Sequence, residues 1–198
     1  MADVAADGRT ARRDRNRDAV IDAALDLFRE DAAVPGLAVV AERSGVSARS
    51  VQRYFADMDA LVRAAMARHI ERVAPLLELE DPGLGPVEVR VARIVASRLL
   101  LHQTIAPMVR VALLRARSNP IIGERLVVGR RQLLDQVAAM FAPEFDALPA
   151  EPRADLLAAL DVVLGFESVE HLRENRGLTD AEAARVLRRA AGALLRPE

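Results

Sequence analysis

Apolar residues recur at helical spacing along almost the whole chain, and this periodicity limits the folds that it can adopt. From Val20 to Phe28, apolar residues occupy the i, i+1, i+4, i+7 and i+8 positions of a helix that buries one face. Residues 87 to 91 alternate like a strand, but helical spacing continues to Leu101 and no second strand is available for pairing. We therefore predict an all-α protein of about nine helices.

The charge composition excludes several classes of function. The 198 residues include 28 arginines, 29 acidic residues, no lysine and no cysteine, for a formal net charge of −1. Without cysteine there is no disulfide scaffold, thiolate metal site or cysteine nucleophile. A net charge near zero argues against indiscriminate binding of nucleic acid, although a local basic element can still bind it. Without lysine, phosphate contacts must come from arginines, hydroxyls or backbone N–H groups.

The sequence contains no pattern typical of a targeting or membrane segment. Residues 1 to 19 are rich in charge and lack the apolar core of a signal peptide. The longest uncharged run, between Arg98 and Arg110, is too short to span a bilayer as a helix. We therefore expect a soluble, cytoplasmic protein that does not bind membranes.

Breaks in the helical pattern divide the chain into an arm and two domains. Residues 1 to 14 are small and charged, which predicts a flexible arm. Residues 15 to 60 contain three short helical patterns and form the first predicted domain. Residues 61 to 198 form a larger helical domain, which we expect to be a bundle.

Several residues predict where helices begin. Ser47 is suited to cap a short helix and Asp57 a fourth helix, and the segment Thr179 to Glu182 has the sequence of a capping box. Pro107 and Pro120 are expected at helix N-termini, because proline fits the first turn of a helix and not its interior.

The segment from Leu37 to Tyr54 has the spacing of a helix-turn-helix. A small residue, Ala41, stands where the two helices must approach closely, and Gly45 stands at the tight turn, which favours a residue that tolerates positive φ. Three valines are expected to fill the space beneath these helices: Val40, Val46 and Val51. A generic three-helix packing unit is the alternative interpretation.

The second helix of this segment has a polar face suited to DNA. Arginine can contact guanine O6 and N7, glutamine can contact adenine N6 and N7, and hydroxyl groups suit phosphate oxygens. The N-terminal residues of such a helix reach base edges in the major groove. The predicted DNA-binding residues are Ser47, Arg49, Ser50, Gln52, Arg53 and Tyr54, with Arg17 from the basic stretch that also contains Arg12, Arg13 and Arg15.

These motifs resemble the TetR family of bacterial transcriptional regulators over residues 15 to 63. The matching segments are Ala23 to Phe28, Val40-Ala41, Gly45 to Ser47, Tyr54-Phe55 and Asp59 to Leu61. The resemblance implies a homodimer whose subunits each have an N-terminal DNA-binding domain of three helices and a larger ligand-binding and dimerisation domain. It also implies that a small molecule releases the protein from a double-stranded DNA operator.

Three positions depart from the family pattern. Gln52 replaces an aromatic residue that often contacts phosphate, Met58 replaces a lysine at the start of the fourth helix, and Leu37-Ala38 replaces threonines before the turn. These changes indicate fewer phosphate contacts from the usual positions. Backbone N–H groups at the start of the fourth helix, together with Arg49 and Arg53, are expected to compensate.

The helix predicted from Leu156 to Val169 is apolar on nearly every side, so it must be buried against several neighbours. With the final helix it would form half of an intermolecular four-helix bundle, as the resemblance implies. A core helix in a monomer is the alternative. The predicted dimer-interface residues are Val163, Leu164, Phe166, Leu194 and Leu195.

A ligand pocket should combine apolar walls with a few polar groups. The predicted pocket residues are His102, Gln103, Met108, Arg110, Met140, Phe141, Phe166 and Glu167, with Asp161 and His171 as further polar candidates. The chain has only five phenylalanines and one tyrosine, which favours an aliphatic or modest-sized ligand over a large planar one.

We predict a ligand-released transcriptional repressor that acts as a homodimer on a palindromic operator. One alternative is a helix-turn-helix protein that binds another protein and no DNA. A less favoured alternative is an all-α enzyme, because the three histidines are far apart and form no metal or triad motif. We expect no catalytic residues, no metal and no cofactor.

Overall fold

The computed structural model describes residues 2 to 30 and 35 to 196, with side chains from Thr10 onward. These residues form ten α-helices and no strands, which confirms the predicted all-α class. The helices are α1 (Ala2–Glu30), α2 (Leu37–Ser44), α3 (Ala48–Tyr54), α4 (Met58–Val73), α5 (Val87–Ala116), α6 (Pro120–Met140), α7 (Ala142–Asp146), α8 (Ala150–Leu164), α9 (Phe166–Glu170) and α10 (Asp180–Leu194). A 3₁₀ turn, Ala74–Leu77, follows α4, and a π-helical turn, His171–Asn175, follows α9.

The predicted helix caps form as expected. The Ser50 N–H donates to Ser47 Oγ at 3.3 Å, and the Ala60 N–H donates to Asp57 Oδ1 at 2.7 Å. At the start of α10, Thr179 accepts from the Glu182 N–H and the Glu182 side chain accepts from the Thr179 N–H, which completes the capping box.

The residues of the predicted arm are helical where the structure describes them, since α1 begins at Ala2; Met1 and the side chains before Thr10 lie outside the described part. Two sequence-based expectations about helix ends are wrong. Pro107 lies inside α5 and does not begin a helix. The apolar helix predicted to reach Val169 is interrupted at Gly165, whose extended backbone separates α8 from α9. A Cβ on Gly165 would lie 2.8 Å from the Asp161 carbonyl oxygen, so this bend favours glycine.

The chain forms two compact units. Unit 1 comprises Met1–Arg72 and Pro107–Leu126, and unit 2 comprises Val73–Ala106 and Val127–Glu198. The predicted boundary near residue 60 differs from this division, because α4 and parts of α5 and α6 pack into unit 1. Within the described residues, no helix is long and apolar enough to cross a membrane.

The core of unit 1 forms beneath the helix-turn-helix. The buried face of α1 includes Val20, Ala24 and Phe28, which are at most 1% exposed. Val40 from α2 and Val51 from α3 belong to the same cluster and are fully buried. This packing fixes α2 and α3 on α1 and leaves the opposite face of α3 exposed.

The core of unit 2 is built from six helices. Its buried residues include Ile94 and Val95 on α5, Val137 and Met140 on α6, Phe145 on α7, Leu160 and Leu164 on α8, Val169 on α9, and Leu187 and Ala191 on α10. Helices α8 and α10 pack against each other through these residues. This pair is the one that the sequence predicted for half of a four-helix bundle.

Candidate nucleic-acid interface and ligand cleft

The turn between α2 and α3 has the geometry that its sequence predicts. Gly45 adopts φ +67°, a left-handed conformation that glycine reaches without steric cost. Its N–H donates to the Glu42 carbonyl oxygen at 3.3 Å, and the Val46 N–H donates to Ser44 Oγ at the same distance. These bonds end α2 and position Ser47 to begin α3.

Helix α3 presents most of the predicted DNA-binding residues on one exposed surface. Val51 faces the core, while Arg49, Gln52 and Arg53 are exposed. Within the described residues, Arg49 and Gln52 make no hydrogen bond or ion pair. The Arg53 guanidinium lies over the Tyr54 ring, 5.4 Å from its centroid.

The remaining predicted DNA-binding residues lie beside this face. The Ser47 hydroxyl donates to Ser50 Oγ at 3.1 Å, so both serines are held at the first turn of α3. On α1, the Arg17 guanidinium lies 5.2 Å from the centroid of the Phe55 ring, just after the end of α3. Arg17 is exposed, and this cation–π contact holds it close to the α3 surface.

Two aspartates of α1 are paired with arginines of α4. Arg68 of α4 contacts Asp18 and Asp22, and Arg72 donates to Asp22 at 2.6 Å. Burial lowers the pKa of Arg68, but its contacts with the two aspartates outweigh that effect and raise the pKa overall. The carboxylates are therefore compensated locally, while the arginines of α3 have no carboxylate partner among the described residues.

Arg43, the basic residue of α2, is engaged by an acid. Its two terminal nitrogens donate to the two carboxylate oxygens of Glu30, each at 2.7 Å. This bidentate bond raises the pKa of Arg43 and lowers that of Glu30. Arg43 therefore joins α2 to α1.

The start of α4 is a poorer phosphate site than we expected. The Asp57 carboxylate already accepts the Ala60 N–H. Asp59 also lies in the first turn, 3.7 Å from Arg115 Nη1. Two carboxylates at a helix N-terminus disfavour a further anion there, so phosphate contacts depend more on arginines and hydroxyls.

Unit 2 contains a cleft of about 250 Å³. Its apolar walls come from Leu133, Val137, Val162, Leu164 and Phe166, and its polar lining comes from Arg98, Arg130, Asp161, Glu167 and Ser168. A much smaller void adjoins some of the same residues, Arg98 and Phe166 among them, and reaches His102.

Arg98 is the most deeply buried charged group of this cleft, at 4% exposure. Its Nη1 donates to Gln136 Oε1 at 2.6 Å and its Nη2 donates to the Leu133 carbonyl oxygen at 2.9 Å. Burial lowers the pKa of Arg98 to about 10, against the charge of Asp161, which raises it.

The structure places the predicted pocket residues in three environments. Phe166 and Glu167 line the cleft, and His102 lines the smaller void with its ring centroid 4.9 Å from that of Phe166. Elsewhere in unit 2, Gln103 is exposed and donates to Asp180, whereas Met140 and Phe141 belong to the core. In unit 1, Met108 is a core residue and Arg110 lies two residues further along α5.

Sequence reasoning missed Arg98, which bounded the longest uncharged run and was given no role in the pocket. Its signal is that an arginine continues the apolar spacing of Ile94, Val95 and Leu101. Of the further polar candidates, Asp161 lines the cleft, while His171 is exposed and bonded to Asn175.

Two predicted dimer-interface residues are core residues of the protomer itself. Leu164 is 1% exposed and Leu195 is 8% exposed, so neither presents a surface to a partner. Val163 and Phe166 are half-buried, and Leu194 is 38% exposed. Val162 on α8, at 71%, and Val186 on α10, at 44%, are more exposed than any of these.

Comparison with solved structures shows that the fold is that of TetR-family regulators. A TetR-family regulator from Streptomyces coelicolor matches with a TM-score of 0.68 and 21% identity, over 91% of this chain and 80% of that chain. MexZ, a repressor from Pseudomonas aeruginosa, matches with a TM-score of 0.60 and 19% identity, over 91% and 94%. A TetR regulator from Rhodococcus sp. RHA1 matches with a TM-score of 0.55 and 24% identity, over 92% and 97%.

A curated relative matches part of the sequence. Over 88 residues the chain is 36% identical to the HTH-type transcriptional repressor LfrR of Mycolicibacterium smegmatis. The match covers 44% of this chain and 46% of LfrR, so the chain spans less than half the length of this relative. No protein-family model matches the sequence. The fold and this partial match confirm the resemblance to the TetR family that the sequence motifs carry.

Proposed function

We propose that this protein is a DNA-binding transcriptional repressor that acts as a homodimer and is released from its operator by a small molecule. The observation that carries the proposal is the charge arrangement of unit 1. Asp18, Asp22 and Glu30 are paired with arginines of α2 and α4, whereas Arg49 and Arg53 on α3 remain exposed and unpaired among the described residues. A regulator of this kind acts in the cytoplasm, and no enzymatic step is required of it.

Helix α3 is the proposed recognition helix. Arg49 and Gln52 lie in its first two turns, where side chains of a recognition helix reach base edges. Ser47, Tyr54 and Arg17 lie around this face and supply hydroxyl and guanidinium groups for phosphates. Their role is to fix the register in which Arg49 and Gln52 read the bases.

The homodimer is supported by exposed apolar stripes on two packed helices. Ala154, Ala158 and Val162 are exposed and spaced four residues apart along α8, so they share one face. On α10, Val186 and Leu194 are exposed, and Ala190 between them is half-buried. Two such helix pairs related by a two-fold axis would bury these stripes in a four-helix bundle.

Release by a small molecule requires communication between the units. Helix α5 contains Arg98 in unit 2 and continues past Pro107 into unit 1. A ligand that moves Arg98 therefore acts on a helix that belongs to both units. Pro107 removes one backbone hydrogen bond from this helix, which marks a position where it can bend.

The DNA-binding proposal is tested by selecting bound sequences from a random pool of DNA duplexes with purified protein. We expect a palindromic site whose half-sites lie about 34–36 Å apart, or a multiple of that distance. Arg49→Ala should relax the preference at one or two base pairs. The matched control is Arg43→Gln combined with Glu30→Gln, which removes an arginine of the same unit together with its partner carboxylate, keeps the net charge, and should leave the selected sequence unchanged.

A different result identifies the alternative function. Suppose that no sequence is enriched, and that random duplex DNA binds this protein no more tightly than it binds an unrelated protein of similar charge. The protein then does not recognise DNA. The helix-turn-helix then serves as a protein-interaction module.

The homodimer is tested by sedimentation at micromolar protein concentration. Val162→Asp places a charge in the proposed bundle and should convert the dimer to monomer, because a buried unpaired charge is strongly unfavourable. Leu84→Asp is the matched control: Leu84 is also an exposed apolar residue of unit 2, at 63%, and its substitution should leave the dimer intact. A wild-type monomer would exclude the proposed assembly.

A further inference from the structure

Unit 2 buries two arginines to the same extent but compensates their charges differently. Arg90 and Arg98 are each 4% exposed. Arg90 donates to both carboxylate oxygens of Glu144, and also to the carbonyl oxygens of Met140 at 2.7 Å and Gly85 at 3.0 Å. The bond to Glu144 raises the pKa of Arg90, as expected of a cation with a fixed counter-charge.

Arg98 has no such counter-charge. Its two hydrogen bonds, to Gln136 and to the Leu133 carbonyl oxygen, both go to neutral acceptors. Among the described residues, no carboxylate forms an ion pair with it. Burial therefore lowers its pKa to about 10, the opposite direction from Arg90. A guanidinium has five N–H donors, and these two bonds use only two of them.

The other charges of the cleft compensate Arg98 only in part. Glu167 is exposed and pairs with Arg130, which is equally exposed at the rim. Asp161 is also exposed and acts on Arg98 only at longer range. Because charges interact more strongly away from water, buried Arg98 is the charge of the cleft that would act most strongly on a bound group.

We propose that the cleft of unit 2 binds a small organic carboxylate whose oxygens pair with the Arg98 guanidinium. The proposal deepens the proposed function, because this carboxylate would be the molecule that releases the protein from DNA. A guanidinium matches a carboxylate in a bidentate geometry, which explains the use of arginine here. The single positive charge of Arg98 is neutralised by one carboxylate. A doubly charged phosphate monoester would leave one negative charge uncompensated in the cleft.

The walls of the cleft define the rest of the ligand. Leu133, Val137 and Val162 provide aliphatic surface, and Phe166 provides an aromatic ring. The volume of about 250 Å³ is below the range of about 300–1,000 Å³ typical of sites for drug-sized molecules. An aliphatic or single-ring carboxylate fits both the size and the chemistry.

Gln136 is a positioning residue for this site. Its Oε1 accepts from Arg98, and its Nε2 donates to the Leu77 carbonyl oxygen after α4. The amide is thus fixed at both ends and directs the guanidinium. This arrangement prepares Arg98 for an incoming anion without neutralising it.

The test measures binding to the full-length protein by calorimetry, in the absence of DNA. The probes are hexanoate, octanoate and benzoate, each compared with its primary amide and with the amine of the same length. We expect at least one carboxylate to bind about tenfold or more tightly than its amide and its amine, since a hydrogen bond to a charged group contributes that much. Arg98→Met and Arg98→Gln should both abolish this preference.

Arg131→Met is the matched control, because it removes an exposed arginine of the same unit that lines neither the cleft nor the smaller void. It should change carboxylate affinity by less than about threefold. Circular dichroism and thermal unfolding establish that each variant is folded. Retention of the preference in both Arg98 variants would overturn the proposal, and so would equal affinity of the wild-type protein for every carboxylate and its amide.

A separate measurement keeps this result distinct from the proposed function. DNA affinity is measured with and without the carboxylate that binds best. Release of DNA by that carboxylate supports both proposals. Carboxylate binding that leaves DNA affinity unchanged supports the ligand class and contradicts ligand-controlled release.

Discussion

The two units present their functional arginines in opposite ways. On α3 of unit 1, Arg49 and Arg53 are exposed to solvent, and Asp18, Asp22 and Glu30 are paired with other arginines. In unit 2, Arg98 is buried and bonded only to neutral groups. An exposed arginine without a partner is solvated by water, so it lowers the stability of the free protein very little. It forms its main interaction when a phosphate or a base binds. A buried arginine without a counter-charge lowers the stability of the free protein, so its retention indicates a partner.

The largest effect is expected from removing the compensated buried arginine. Arg90→Met leaves Glu144 without its partner and should lower the free energy of unfolding by about 3 kcal/mol, as breaking a buried ion pair does. Arg98→Met removes an uncompensated charge, so its stability should stay within about 1 kcal/mol of wild type or rise. Urea unfolding of both variants measures the contrast. Equal losses would mean that Arg98 is a structural residue like Arg90.

Unit 1 also buries a basic group, but one that can lose its charge. His69 on α4 is 7% exposed, and its Nε2 has no hydrogen-bond partner among the described residues. Burial lowers its pKa, and so do the charges of Arg29 on α1 and Arg72 on α4. The unfolded chain therefore binds a proton more readily than the native protein does.

The stability that His69 contributes should be complete above about pH 6.5 and lost as the pH falls below it. One proton accounts for a slope of at most about 1.4 kcal/mol per pH unit. Between pH 7.5 and pH 5.5, the free energy of unfolding measured with urea should fall less for His69→Leu than for wild type. Identical losses in the two proteins would assign the acid sensitivity to other groups.

Ser47 separates the folding of the recognition helix from its contact with DNA. Ser47→Ala removes the cap of α3 and should cost about 1 kcal/mol of stability. Ser47→Asp keeps a cap of similar strength but places a negative charge beside the proposed phosphate path. We expect this variant to unfold like wild type and to bind DNA more weakly than the alanine variant. The reverse order of DNA affinities would remove Ser47 from the interface.

The smallest effect concerns the ion pairs that compensate the acids of α1. Arg68→Ala exposes the charges of Asp18 and Asp22 and should weaken DNA binding by less than about 1 kcal/mol at low salt. The difference should disappear at about 0.5 M salt, where the Debye length is only a few ångströms. Arg131→Ala breaks an exposed ion pair with Asp135 in unit 2 and serves as the control. An equal loss of DNA affinity in this control would show that net charge alone matters.

Local features of the sequence predicted unit 1 well. Val40, Val46 and Val51 are buried, Gly45 has the positive φ that its turn requires, and Ser47 caps α3 as expected. The turn and the cap depend on neighbours within a few residues, and the buried valines are identified by their helical spacing, so spacing and residue type are sufficient to predict these features. The pairing of Arg43 with Glu30 was missed because it joins residues on two different helices.

Unit 2 was less predictable because its helices are apolar on several faces. Leu164 and Leu195 were assigned to a dimer interface but pack inside the protomer, while Val162, two residues before Leu164, is exposed. Helical periodicity identifies an apolar face but not which neighbour covers it. The prediction that Pro107 begins a helix was wrong for a related reason. Proline is common in the first turn of a helix, but tertiary packing in α5 overrides that preference.

The sequence by itself determined the all-α class, the helix-turn-helix and the residues of its exposed polar face, since these follow from spacing, capping and turn chemistry. The tertiary structure decided which charges are neutralised and which remain available. The sequence alone does not distinguish three of the arginines. In the structure, Arg43 pairs with an exposed carboxylate and Arg90 with a part-buried one, whereas Arg98 bonds to neutral groups. Electrostatic compensation depends on distances between helices that are far apart in the chain, which residue spacing does not encode.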